Sequence, residues 1–275
     1  MKILFVSRDF SGASLCLRLL REGNEVCAFV ADSRYRQIMD GLVEKTADLD
    51  TGIDWVSRDG LVVVDDVGFG ELQDRLRGEG YAVVGGSAGG DCLELDRVHC
   101  QQVLAPLAPH LRRIGFRGDF DLNCIVNEEG AFPLEATSRF GFPTTQLQME
   151  FHISPWTEFL AAVARGEDYP LEVREGYGVV MLIAIPPFPY CSCSPGEHLL
   201  PRGLKIHFRE EPDDEELRHF HFEEVSGAHD GMGRGAGAAG PAVLIFAEEK
   251  FGRSPGLRAA GRFCPQAGAG TRDSD

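Results

Sequence analysis

Lysine is scarce in this chain of 275 residues, and none occurs between Lys45 and Lys205. The 27 Lys and Arg residues are outnumbered by 43 Asp and Glu residues, so the formal charge is −16. Nucleic acids and anionic membranes are bound through basic patches, and this balance therefore argues against both as partners. The chain also lacks a run of about 18 apolar residues, so we expect no membrane-spanning segment.

Paired cysteines at metal-binding spacing are absent as well. None of the eight cysteines forms a CxxC pair, and Cys191 and Cys193 form only a CxC. Reduced, structural thiols in a cytosolic protein explain this distribution better than a disulfide framework or a zinc site. The start "MKILFVS" leads straight into an apparent strand that is too short for a secretory signal, and we expect a cytoplasmic protein.

The first third of the chain alternates predicted strands and helices. Strands are predicted at 2–7, 25–31, 61–66 and 81–87, and helices at 11–23 and 69–80. This alternation predicts an α/β fold with a Rossmann-like parallel sheet and helices on both of its faces. Ligands of such sheets bind beyond the carboxyl ends of the strands, where the loops 7–12 and 85–91 are expected.

The loop "GGSAGGD" (85–91) has two interpretations. Its backbone N–H groups at Gly85, Gly86 and Ser87 are candidates for binding the phosphate of a nucleotide, helped by the start of a helix. It can equally be a turn whose glycines supply positive φ angles. The loop alone does not decide between them.

Two predicted helices follow with almost no connector. "DCLELDRVHCQQVL" (91–104) has apolar residues near one face and Asp91 as a cap. A second helix starts near Pro106 or Pro109 and ends at Gly115. The junction at 104–105 is unusually abrupt.

The stretch "GDFDLNCIVNEEGAFPLEATSRFG" (118–141) predicts a β-hairpin with a turn at 127–130. On the first strand, residues 119, 121, 123 and 125 share one face, and the apolar residues 120, 122, 124 and 126 share the face that we expect to enter the core. Asp121 and Asn123 are then joined by Glu135 of the second strand, with Arg139 close by. Hard oxygen ligands on two adjacent strands are typical of a Mg²⁺ site, and arginine can bind an anion. The alternative is a hairpin whose polar face is merely solvated.

Several blocks of the sequence resemble a known enzyme family. "RGDFDLNCIVNEEGAFPLEATSRFGFPTTQLQ" (117–148), "VVGGSAGGDCLELDR" (83–97) and the region 178–225 are similar to the ATP-grasp ligases, more narrowly to phosphoribosylamine–glycine ligases. The resemblance spans roughly residues 1–225. It implies an ATP-dependent carboxylate–amine ligase of de novo purine biosynthesis that forms an acyl phosphate. The implied ligands are ATP, glycine, phosphoribosylamine, and Mg²⁺ or Mn²⁺.

The same resemblance implies roles for single residues. Glu135 matches the family's metal-binding glutamate, and Thr137 stands where the family has a metal-binding asparagine. Asn123 and Asp121 on the partner strand are the candidates to complete the metal site. Arg139 matches an arginine expected near the acyl phosphate or its acceptor, and is the candidate catalytic residue.

The resemblance also implies an order of domains. A Rossmann-like pre-ATP-grasp domain is expected at 1–92, the metal-binding half of an ATP-grasp domain at 93–172, and a small β-rich domain at 173–247. The segment 248–275 is expected to be a disordered or atypical tail.

One departure from the family bears on activity. In the family, the lobe that supplies lysines and a Gly-rich loop to ATP lies between the two helices that abut here at Leu104 and Ala105. Most of this lobe is therefore expected to be missing here. Two functions remain open: an active ligase, or a non-catalytic binding module that keeps the fold. A dinucleotide-binding Rossmann protein is the third possibility.

His219 and His221 form an HxH pair in "RHFHFEE". On a strand both rings would face one side, which is a geometry used in metal sites. A half-exposed structural strand is the simpler interpretation.

Overall fold

The computed structural model describes residues 1–95, 107–176, 178–183, 212–223, 226–227, 236–237 and 243–248. Twenty elements lie in this part of the chain. The strands are β1 (Lys2–Ser7), β2 (Glu25–Val30), β3 (Glu44–Thr46), β4 (Leu61–Val64), β5 (Ala82–Val84), β6 (Asp121–Asn127), β7 (Gly130–Thr137), β8 (Val179–Ile183), β9 (Phe220–Glu223), β10 (Ser226–Gly227), β11 (Ala236–Gly237) and β12 (Val243–Glu248). The helices are α1 (Ala13–Arg21), α2 (Leu49–Val56), α3 (Gly70–Gly78), α4 (Ala88–Leu95), α5 (Leu107–Arg113), α6 (Thr144–Phe151), α7 (Trp156–Arg165) and α8 (Asp214–Arg218).

The N-terminal sheet has five parallel strands in the order β3-β2-β1-β4-β5. Alternate residues of β1 enter two different cores, because successive side chains of a strand point to opposite faces. Ile3 and Phe5 pack in the cluster that contains side chains of α1 and α7. Leu4 and Val6 pack in the cluster that contains side chains of α2 and α3. The predicted parallel sheet with helices on both faces is confirmed.

Two elements of this region were not predicted. The strand β3 is only three residues long and has the sequence EKT, which carries no apolar alternation. The helix α2 contains Gly52, a residue of low helix propensity. Asp48 stabilises its start by accepting a hydrogen bond from the N–H of Thr51.

The predicted hairpin forms from β6 and β7, which pair in antiparallel register. The side-chain oxygen of Asn127 accepts hydrogen bonds from the N–H groups of Glu129 and Gly130, and so stabilises the tight turn. A register shift between Asn123 and Cys124 interrupts the ladder.

The expected burial of the hairpin's apolar side is wrong for its middle section. Leu122 is 36% exposed and Cys124 is exposed, whereas Phe120 is partly buried against Leu93 and Ala136. A two-stranded sheet is narrow. Of residues 120, 122 and 124, only Phe120 packs against the cluster of Leu93 and Ala136. Leu122 and Cys124, in the middle of this side, therefore face solvent.

The C-terminal part forms a three-stranded antiparallel sheet in the order β8-β12-β9. The last strand agrees with the run 241–247, which the sequence predicted as a strand, so the β-rich character of this region is confirmed. The junction at 104–105 and the tail from 249 onward lie outside the described residues, and the domain boundaries remain predictions. No helix in the described ranges has the length and apolar character needed to cross a lipid bilayer.

Candidate functional site

A cavity of about 430 Å³ lies between the hairpin and the carboxyl ends of the parallel sheet. The hairpin and the chain that follows it form one wall, and the loops after β1 and β4 form the other. The lining residues are Asp9, Ser11, Asp66, Asp121, Asn123, Glu135, Thr137, Arg139, Gly141, Phe142 and Thr144. The three candidate metal ligands and the candidate catalytic arginine therefore share one cavity.

Asn123 and Glu135 face each other across the hairpin. They are register partners, and the side-chain amide Nδ2 of Asn123 donates to Oε1 of Glu135 at 3.2 Å. Asp121 lies two residues before Asn123 on the same face. A Cβ atom at Gly141 would overlap the carboxylate of Asp121, so a larger residue there would force this side chain to shift.

The cavity lining has more negative than positive side chains, since four carboxylates accompany one arginine. Burial raises the pKa of Asp66, and the nearby charge of Asp9 adds to the effect. Burial likewise raises the pKa of Asp121 and, together with Asp121, that of Asp119. Excess negative charge in a cavity attracts a cation rather than an anion.

Arg139 is held by carboxylates of the N-terminal region. Its Nε lies 3.0 Å from Oε1 of Glu94 and 3.6 Å from Oδ1 of Asp66. Burial acts to lower the pKa of the guanidinium, but Glu94, Asp66 and Asp9 outweigh it and raise the pKa. The arginine is thus oriented toward the cavity with part of its charge already compensated.

The donor set suits a hard divalent cation. Two carboxylates and one amide lie on a single wall, and Mg²⁺ commonly takes few protein oxygens and leaves its other positions to water and substrate. Within the described ranges, no three His, Cys, Asp or Glu side chains converge closely enough to enclose a metal. A cation held here would therefore need Asn123 or ligand oxygens in addition to the carboxylates.

Asp9 and Asp66 belong to the cavity but were not among the predicted site residues. Asp9 lies inside the loop 7–12, which the sequence did mark as a ligand loop. Asp66 ends the run "LVVVDD", and two aspartates at the carboxyl end of a buried parallel strand are the signal that would have found it.

Gly85, Gly86 and Ser87 are not among the residues that line this cavity. The N–H of Gly85 donates to the carbonyl of Arg117, and the Oγ of Ser87 accepts from the N–H of Gly90. Gly85 has a φ of 148°, a conformation that favours glycine. The first contact is an isolated β-bridge and the second lies at the start of α4, so both are structural, while the assignment to a nucleotide phosphate remains a prediction.

The start of α1 is also occupied by protein groups. The N–H of Gly12 donates to Oδ2 of Asp65, and the N–H of Ser14 donates to Glu223. A dinucleotide would need these N–H groups for its phosphates. The geometry therefore gives no support to the dinucleotide-binding alternative.

Both rings of the HxH pair bind a single carboxylate. His219 Nδ1 lies 2.8 Å from Oε2 of Glu150, and His221 Nε2 lies 2.7 Å from Oε1 of Glu150. Burial acts to raise the pKa of Glu150, but the hydrogen bonds from the two histidines outweigh it and lower the pKa to about 2. The pair thus faces one side, as predicted, and fastens β9 to α6.

Comparison with protein-family profiles finds no match, and comparison with curated protein sequences finds no significant match. Solved structures do match. Phosphoribosylamine–glycine ligase from Thermotoga maritima aligns with a TM-score of 0.61 at 12% sequence identity, over 95% of this chain and 95% of that chain. Urea carboxylase from Kluyveromyces lactis aligns with a TM-score of 0.50 at 8% identity, over 90% of this chain and 28% of that chain. At such identities the similarity concerns the fold alone, and the chain shares the overall fold of the first of these structures along nearly its whole length.

Proposed function

We propose that this chain is a carboxylate–amine ligase-like protein of the phosphoribosylamine–glycine ligase type, whose cavity binds a divalent cation together with a small polar substrate. The observation that carries the proposal is the cavity itself. It brings Asp121, Asn123 and Glu135 of the hairpin opposite Asp9 and Asp66 of the parallel sheet.

The residues have different parts in this proposal. Asp121, Asn123 and Glu135 would hold Mg²⁺ or Mn²⁺ through oxygen atoms, with the Asn123 amide turned so that its oxygen faces the ion. When bound, the cation supplies positive charge that offsets the phosphates of a nucleotide co-substrate. Arg139 would orient the anionic group of the acceptor, since Glu94 and Asp66 fix its position.

The preferred substrates follow from the resemblance and from the charge of the wall. A cavity with four carboxylates suits an amine, which is cationic in water, and the family implied by the sequence joins glycine to phosphoribosylamine. ATP is the implied co-substrate. A cytoplasmic location and a role in purine biosynthesis belong to the same proposal.

We expect this chain to turn over ATP slowly when it acts alone. ATP-grasp ligases hold the phosphates with lysines, and no lysine occurs between Lys45 and Lys205. Each lost charge-assisted contact is worth about 1.5–3 kcal/mol, so several together weaken nucleotide binding by orders of magnitude. Of the two alternatives, the residues therefore favour a binding module that keeps the cation and substrate site over an active ligase.

Titration calorimetry with Mg²⁺, and then with glycine, phosphoribosylamine and ATP in the presence of Mg²⁺, tests the proposal. We expect heat from the cation and from a small substrate, and little from ATP. A protein that binds none of these four ligands would disprove a ligase-like site.

A further inference from the structure

A buried polar cluster lies at the start of α1, and Glu223 of β9 is its centre. Glu223 is 1% exposed. Its carboxyl oxygens accept the N–H of Ser14 at 3.1 and 3.3 Å and the Nε2 of Gln146 at 2.8 Å. The same Nε2 lies 3.1 Å from Oγ of Ser14. One carboxyl group of the C-terminal sheet thus joins the first turn of α1 to α6.

A second buried carboxyl group meets the same end of α1. Asp65 is 1% exposed, and its Oδ2 accepts the N–H of Gly12 at 2.8 Å. Among the residues described, no cationic side chain forms an ion pair with Asp65 or Glu223. Two unpaired carboxylates in so dry a cluster would be costly, because each loses its hydration and each repels the other.

Protonation relieves this cost. Burial raises the pKa of Glu223 to about 8, with Asp65 adding to the effect. Burial raises that of Asp65 to about 8 as well, with contributions from Asp66 and Asp9. Within the described part of the chain, the thiol of Cys16 on α1 also faces them, and burial and both acids raise its pKa. Burial and mutual repulsion therefore favour the carboxylic acid forms, against the hydrogen bonds to Glu223 from Ser14 and Gln146, which favour the carboxylate.

The elements that Glu223 joins form two walls of the cavity. The loop that carries Ser11 leads directly into α1, and Thr144 is the first residue of α6. A change in how β9 holds these helices would therefore move cavity residues that Glu223 does not touch.

We propose that Glu223 is a protonation-dependent positioning residue, which fastens β9 to α1 and α6 as a neutral acid and releases them when it ionises. The description of the cavity as a binding site rests on the proposed function, but the fastening itself does not. The expected direction follows from the raised pKa. The stabilisation is complete in acid, declines once pH exceeds the ordinary value of 4.5, and is lost as pH rises through about 8.

The N–H of Ser14 reports on the contact directly, since it is the donor. Hydrogen exchange at this amide is compared in the wild type and in Glu223→Gln, a neutral substitute with the same shape. We expect equal exchange at about pH 6.5, and exchange at least about tenfold faster in the wild type at about pH 9.5, because most of the acid is then ionised. If the ratio of the wild-type exchange rate to the Glu223→Gln exchange rate is the same at both pH values, the proposal is wrong.

Glu150→Gln is the matched control, because Glu150 holds the same strand through His219 and His221. Its pKa of about 2 keeps it ionised throughout this range. The Glu150→Gln variant should therefore still show the rise in hydrogen exchange at the Ser14 amide as pH passes through about 8. If this rise in exchange is absent from Glu150→Gln, the effect reflects general loosening of β9, and the proposed role of Glu223 is contradicted.

A measurement on the wild type covers the case in which Glu223→Gln does not fold. In protein labelled with ¹³C only at glutamate side-chain carboxyl carbons, one resonance should titrate near pH 8. Its absence would overturn the proposal. Mn²⁺ binding at neutral pH is measured separately, so failure of the cavity to bind a cation and failure of Glu223 to titrate give different results.

Discussion

The Nε of Arg139 donates to Oε1 of Glu94 at 3.0 Å, and this contact ties the end of the hairpin to helix α4. The other carboxylate oxygen of Glu94 accepts the N–H of Ser138 at 2.8 Å, while the Oγ of Ser138 donates to the carbonyl of Gly90 at 2.8 Å. Glu94 therefore fixes both the backbone and the candidate catalytic side chain at the edge of the cavity.

Replacement of Glu94 should destabilise the protein. Glu94→Ala leaves the N–H of Ser138 without its acceptor, and we expect a loss of about 1–3 kcal/mol in the free energy of unfolding. Glu79→Ala is the control, since Glu79 forms an exposed pair with Arg75 that is worth about 0.5 kcal/mol or less. Urea denaturation of both variants measures the difference, and equal losses would contradict the role given to Glu94.

The stability supplied by Glu22 should depend on pH. Its carboxylate accepts the N–H groups of Trp156 and Thr157 at 2.9 and 2.8 Å, and so caps α7 from a distant part of the chain. Burial acts to raise its pKa, but the hydrogen bonds from Thr157 and Trp156 outweigh it and lower the pKa below 4.5. The stabilisation is therefore present above about pH 4.5 and lost as pH falls through the lowered pKa.

Glu22→Gln should consequently be less stable than the wild type at neutral pH, by about 1–2 kcal/mol as for other lost helix caps. The difference should shrink at about pH 3, where the wild-type carboxylate takes up a proton. Glu25→Gln, at an exposed position of β2, serves as the control with no expected effect. Thermal unfolding at the two pH values gives the result, and a difference that is constant or larger in acid would show that the cap is not ionic.

Exposure of the hairpin's apolar side can be tested with polar substitutions. Phe132 and Leu134 are 47% and 49% exposed, so Phe132→Ser and Leu134→Ser should each cost less than about 1 kcal/mol. Leu160→Ala removes a core side chain that is 1% exposed and should cost about 2–5 kcal/mol. Comparable losses for the surface and core variants would mean that the hairpin is covered in solution.

ATP turnover by this chain should be far below that of phosphoribosylamine–glycine ligases. A coupled assay of ADP release, with Mg²⁺, glycine and phosphoribosylamine present, measures it. The physical reason is the missing lysines, because phosphoryl transfer depends on positioning and on charge around the phosphates. Glycine-dependent ADP release with micromolar ATP affinity would show that other residues replace them.

The N-terminal sheet was predictable because its signals are local. The runs "KILFVS" and "LVVVDD" are long enough to identify buried strands, and the polar alternation at Asp121, Asn123 and Glu135 identified the polar face of the hairpin. The strand β3 was missed because its three polar residues carry no local strand signal. It forms by pairing with the neighbouring strand β2.

The assembled site was less predictable because it joins distant segments. Asp9 and Asp66 reach the hairpin only after the sheet has formed, and Glu223 contacts Ser14 across a separation of 209 residues. Burial of Leu122 also depends on neighbours that a pattern of alternation does not reveal. Such features follow from tertiary packing rather than from local periodicity.

The most direct test of the cation site is Mn²⁺ binding followed by electron paramagnetic resonance of the free ion. Glu135→Gln removes the negative charge of one candidate ligand, and Glu129→Gln removes that of a carboxylate at the hairpin turn, outside the cavity. We expect one ion per wild-type chain, affinity at least about tenfold weaker in Glu135→Gln, as for loss of a charged contact, and unchanged affinity in Glu129→Gln. A wild type that leaves Mn²⁺ free, or three proteins with equal affinity, would contradict the proposed site.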